Sequence, residues 1–161
     1  MDILAITISA LALVLSIAQY VLEGNRLKNE STLRAYNELQ KEVFPILKKY
    51  KKMDSIQPDT PEWNEITSCL AKIENFCVGI NSKMYSIRIL NRLGGGFFIE
   101  QRKRLTSIIK RKRDSDKSMK HYDEYDRAVK NLCKLRGEPD CLQEIREAED
   151  RENQRMEGTE S

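Results

Sequence analysis

Apolar positions follow two regimes along this chain. From Ile3 to Leu22 twenty residues carry no charge; eleven are Ile, Leu or Val and four are Ala. At about 1.5 Å per residue this run covers about 30 Å, the thickness of a bilayer's hydrocarbon layer. Central Ile, Leu and Val each favour insertion by about 0.3–0.6 kcal/mol. A cleaved signal peptide is the rival reading, since Ser16-Ile17-Ala18 has a small-x-small pattern. Against it, Asp2 stands where a basic region belongs, and the apolar run continues through Tyr20, Val21 and Leu22. The pattern predicts a retained span.

Beyond the span the spacing is that of amphipathic helices. Tyr36, Leu39, Val43, Ile46 and Tyr50 alternate three- and four-residue steps, with Pro45 expected to kink their helix. Thr60 is placed to cap a helix whose first residue is Pro61. A seam then runs through Trp63, Ile66, Leu70, Ile73, Cys77, Ile80, Met84 and Ile87. Gly79, Asn81 and Ser82 weaken its middle, so one helix is expected to about Asn81. Ser86 would cap a short one to Leu93, with Tyr85 stapled onto Leu90. Gly94-Gly95-Gly96 is expected to end it as a turn; no Gly-Lys-Ser/Thr follows and no strand precedes, so a phosphate loop is excluded. Phe97 to Lys112 reads as a basic amphipathic helix. Tyr122, Tyr125, Val129, Leu132 and Leu135 line another, stopped by Gly137, and Pro139 opens a last helix through Leu142, Ile145 and Ala148. The chain divides into an anchor (1–23), a juxtamembrane helix and loop (24–60), a bundle core (61–137) and an acidic helix and disordered tail (138–161). The expected fold is all-α: a transmembrane helix followed by a small antiparallel bundle in the cytoplasm.

Charge sharpens this picture. The net charge of +3 conceals −2 over residues 1–23, +11 over 24–136 and −6 over 137–161. No Lys or Arg precedes the span, whereas Arg26, Lys28, Arg34 and Lys41 follow it. The positive-inside rule then puts the N-terminus outside the inner membrane, the rest in the cytoplasm and the thiols in a reducing compartment. Arg102, Lys103, Arg104, Lys110, Arg111, Lys112 and Arg113 place seven positive charges in twelve residues. They offer a candidate contact for anionic lipid. Nucleic acid is a weaker candidate, because interleaved aromatics and a recognition motif are lacking. A solvated face is the plain alternative. Within the span, Ala5, Ser9, Ala12 and Ser16 lie 4, 3 and 4 apart with Gln19 three further on, a stripe suited to packing against a second helix or a second copy.

Catalytic chemistry finds little support. One His excludes a multi-His metal site in one chain. No metal or cofactor is expected, and the reading is non-enzymatic. Cys69/Cys77 and Cys133/Cys141 are two pairs eight apart. Eight helical residues rise about 12 Å, so Cys69 and Cys77 cannot bond each other; small buried thiols are expected, with cross-pairing between the two sets the alternative if their helices are neighbours. Around His121, Asp123, Glu124 and Asp126 are expected to face solvent while Tyr122 and Tyr125 face inward. Glu74 adjoins the seam and is expected to be half-buried and paired with Arg88 or Arg92.

Trp63-Asn64-Glu65-Ile66, Leu70 with Ile73 through Ile80, Tyr85 with Ile89-Leu90, the glycine run and Tyr122–Tyr125 carry a further signal, joined by Tyr36-Asn37-Glu38-Leu39. In these residues the chain resembles a bacterial family of small single-span membrane proteins classed as domain of unknown function 4760. The resemblance implies one N-terminal span and a cytoplasmic all-helical domain, and it transfers no catalytic or binding residue.

Overall fold

The structure, a computed structural model, describes residues 3–50, 52–116 and 121–138, together with Gln143, Glu144, Glu147 and Asp150. Among the described residues it is helical with no strand. The uncharged run does not end at its polar boundary. It continues as one helix, α1 (Ile3–Glu42), of 40 residues and so about 60 Å long. At Val43 the chain bends into α2 (Phe44–Lys49), with Pro45 in its first turn, where a missing N–H costs nothing. A 3-10 turn (Met53–Ser55) leads to α3 (Pro61–Asn81), whose Thr60 hydroxyl accepts from the Trp63 N–H as expected.

Next come α4 (Ile87–Arg104), capped by Ser86, then α5 (Thr106–Ser115) and α6 (Asp123–Arg136), closed by Gly137 at φ 66°. The glycine run is not the expected stop, because α4 passes through it with a kink at Gly94. A side chain there would collide with the Tyr36 ring, whose hydroxyl donates to the Leu93 carbonyl at 3.1 Å. The glycine thus serves a close approach between α1 and α4. The expected single helix over Phe97–Lys112 is instead two, broken at Leu105. The seam also ends early: α3 stops at Asn81, so Met84 points outward, 66% exposed. Tyr85 stacks on Phe76 at 5.4 Å.

Contacts between the helices fix their directions. Glu42 meets Lys72, and Lys49 meets Glu65, so α3 runs back along α1. The Ser86 N–H donates to Thr32 while Phe97 packs on Phe44, so α4 rises parallel to α1. Arg102 bonds Asp126 and Arg136 bonds Asn91, so α6 descends beside α4. The four form an up-down-up-down bundle. Phe98 sits at its centre, with ring centroids of Tyr36, Phe44, Phe76 and Tyr125 between 5.7 and 6.5 Å away. Of the last helix expected from Pro139, Gln143, Glu144, Glu147 and Asp150 are described and are helical, whereas Leu142, Ile145, Ala148 and the tail beyond Asp150 lie outside the described residues.

Candidate functional site

The two halves of α1 differ in kind. Thr32, Tyr36 and Leu39 are buried against the bundle. From Ile6 to Leu22, by contrast, the large apolar side chains are between 54% and 81% exposed, and none of the described residues covers them. Soluble proteins rarely leave a continuous apolar surface of this extent uncovered. Ser9, Ala12, Ser16 and Gln19 of the small-residue stripe are all exposed, and the Ser16 hydroxyl turns back onto the Ala12 carbonyl at 2.9 Å. Ala5 falls within α1, but its side chain lies outside the described residues.

The basic run is not one surface. Arg102 is 1% exposed, its guanidinium on Asp126 and, at 3.1 Å, on the Thr106 hydroxyl. It cannot reach lipid, which corrects its place among the candidate lipid contacts. The cause is α6, whose Asp126 packs against this end of α4. Arg104 donates to the Tyr50 carbonyl and to Gln101. Arg111 donates to carbonyls of Ile56, Met53 and Ser107 and lies 5.6 Å over Trp63. Arg113 donates to the His121 carbonyl and to Asp126 at 2.8 Å. Lys103 pairs with Glu144 and Lys112 with Asp116, while Lys110 is partly exposed. These charges hold α5, the 3-10 turn and the start of α6 together at the end of the bundle remote from the apolar helix. The lipid reading drew on charge density, which does not reveal that the neighbours are carbonyls.

Glu74 is half-buried as expected, but its partner is not an arginine. Its carboxylate accepts from the backbone N–H groups of Glu124 and Tyr125 at 3.0 and 2.7 Å, and so caps the N-terminus of α6 from another helix. This substitutes for the absent local cap, since Tyr122 stands there in the left-handed conformation at φ 66°. Burial lifts the Glu74 carboxyl above its usual range, and the two N–H donors oppose the rise only in part. Beside it opens a cleft of about 530 Å³ lined by Ser68, Lys112, His121 and Tyr122, among others. The His121 Nε2 lies 3.0 Å from Asp116, which also holds Lys112 at 2.9 Å. Among the described residues no hydroxyl or thiol bonds the His121 ring, and the Glu74 oxygens are engaged by backbone. Tyr122 and Tyr125 do face inward, and burial raises the Tyr122 phenol to about 12. Asp126, expected in solvent, faces Arg102 instead.

Cys69 and Cys77 are buried free thiols, as expected; burial pushes Cys69 up to about 11 and Cys77 higher still. Cys133 departs from expectation, being disulfide-bonded. Spacing alone did not indicate that bond.

At the opposite end from the basic run, the fold gathers cations of which the sequence reading singles out only Arg88 and Arg92, as partners for Glu74. Lys83 follows α3, Arg88 and Arg92 lie in the first turns of α4, and Lys134 lies near the end of α6; all four are exposed. They are scattered over fifty residues and form no run, so only the antiparallel packing of α6 on α4 brings them together.

No curated protein and no solved structure matches the chain. Residues 6–132 match a protein-family profile that takes in the exposed apolar helix and all of the bundle up to Leu132. The chain therefore belongs to the DUF4760 family, a domain of unknown function.

Proposed function

We propose that this chain is a single-span membrane protein whose helical bundle is a non-enzymatic interaction module held at the cytoplasmic face. The observation that carries the reading is the uncovered apolar surface from Ile6 to Leu22, continuous with a helix whose far half packs into the bundle. A bilayer is the occupant that fits, since the uncharged run matches its hydrocarbon thickness. Because α1 is unbroken, the module is held at a set height rather than tethered by a loose linker. The flanking Arg26, Lys28, Arg34 and Lys41 support a cytoplasmic bundle. The engagement of Glu74 by backbone N–H groups supports a structural use of this half-buried carboxylate.

One observation favours the opposite orientation. A disulfide at Cys133 suits an oxidising compartment, and a bundle outside the cell would place it there. Reporter fusions at the C-terminus decide between the two. A cytoplasm-dependent reporter that is active, with its periplasm-dependent counterpart silent, supports the first reading, and the reverse supports the second. Release of the full chain from membranes by alkaline carbonate would overturn both. In either orientation, self-association through the exposed stripe is tested by crosslinking the full chain in membranes with Ser9→Leu and Ala12→Leu; loss of a crosslinked dimer would support it.

A further inference from the structure

We propose that the end of the bundle bearing Lys83, Arg88, Arg92 and Lys134 rests on the anionic headgroups of the membrane that α1 spans. This rests on the membrane-anchor reading but not on which side the bundle lies. The height of this end follows from α1. Thr32, whose hydroxyl takes the Ser86 N–H at 2.7 Å, is ten residues beyond Leu22, about 15 Å along the helix. Headgroups fill about the first 5–7 Å of that distance. Ser86 and the turn before it, with Lys83 and Met84, therefore stand within about one Debye length of the headgroup layer. Long cationic side chains can extend further toward it. The basic run lies beyond the far end of α1, itself about 30 Å past Leu22 and more than two Debye lengths from the headgroup layer.

The two arginines at this end are unfavourably placed without an anionic neighbour. Arg88 and Arg92 are one turn apart on α4, and no acidic residue stands in that helix's first turn. Like charges at this spacing repel, and cations at a helix N-terminus oppose its dipole. Lys83, Arg88, Arg92 and Lys134 have no ionic partner among the described residues. Nearby acids are already taken, Glu30 by Arg26 at 2.8 Å and Glu138 by Arg136 at 2.7 Å. Lys83 and Lys134 share the walls of one surface cavity of about 410 Å³ with Leu135. Met84 and Leu135 are exposed apolar side chains at the same end, suited to the headgroup boundary. A layer of phosphates would give all four cations an anionic neighbour at once.

The test uses the full chain in vesicles of phosphatidylcholine alone or with phosphatidylglycerol. A fluorophore on Met84→Cys or, in a second protein, on Lys110→Cys is quenched by headgroup-nitroxide lipid. The buried Cys69 and Cys77 are poorly reactive toward the label. Phosphatidylglycerol is expected to raise quenching at position 84 at least twofold and to leave position 110 unchanged, and added salt should remove the rise. Charge reversal at all four cations (Lys83→Glu, Arg88→Glu, Arg92→Glu, Lys134→Glu) should abolish it. Should that variant misfold, as judged from Trp63 emission, Lys83→Gln with Arg92→Gln should at least halve the rise. An unchanged rise in either folded variant, or stronger quenching at 110 than at 84, overturns the proposal. Failure of the wild-type chain to float with the vesicles would instead overturn the anchor reading beneath it.

Discussion

Asp126 faces the buried Arg102. Its carboxylate takes Arg102, whose guanidinium is essentially sealed from water, and at 2.8 Å also takes Arg113. Asp126→Ala would leave a buried cation without its carboxylate. Breaking a fully buried ion pair costs about 3–5 kcal/mol. The Asp126 side chain is 34% exposed, so water can enter the vacated place, and the expected loss is about 2–3 kcal/mol. Arg102→Met removes the charge but keeps most of the volume and leaves Asp126 with Arg113, so about 1 kcal/mol is expected. The double variant is then expected to lose less than the single losses combined, because no charge is left stranded. The assay is urea unfolding of the full chain in mild detergent, read from Trp63, the sole tryptophan and a buried one. A loss below about 0.5 kcal/mol for Asp126→Ala, or strict additivity in the double variant, would refute the assignment of Arg102 as a buried structural cation.

Other expectations follow from single contacts. Glu74 holds its proton to higher pH when folded than its usual value of 4.5, because burial is the largest influence on it. Its contribution to stability is therefore greatest below that value and falls as pH rises through the raised one. The stability margin of wild type over Glu74→Gln should narrow between about pH 4 and pH 7; a widening margin would mean that the two N–H donors outweigh burial. Thr32→Val leaves the Ser86 N–H without its acceptor at a fully buried site and is expected to cost about 1–2 kcal/mol, with Thr32→Ser recovering most of it. Gly94→Ala forces Tyr36 out of place and should cost about 1–3 kcal/mol by the same unfolding assay, more than the roughly 1 kcal/mol expected for Tyr36→Phe.

What could be read from the residues alone was whatever depends on local spacing. The uncharged run, the Thr60-Pro61 start and Asn81 end of α3, the Ser86 cap, the inward Tyr122 and Tyr125 and the Gly137 stop are each written within one or two helical turns, and each stands in the structure. Membership of the α class followed from the same periodicity. The tertiary structure decided the questions whose answer lies across the bundle. It sent α4 through the glycines because Tyr36 of α1 needed the space. It gave Glu74 the bare N-terminus of α6 rather than an arginine, since those N–H groups arrive from fifty residues away. It also turned the arginines of the densest positive run onto carbonyls and Asp126, and drew four scattered cations to the end nearest the apolar helix. A charge is visible in a sequence, but its electrostatic environment is set by groups distant along the chain, and only folding brings those together.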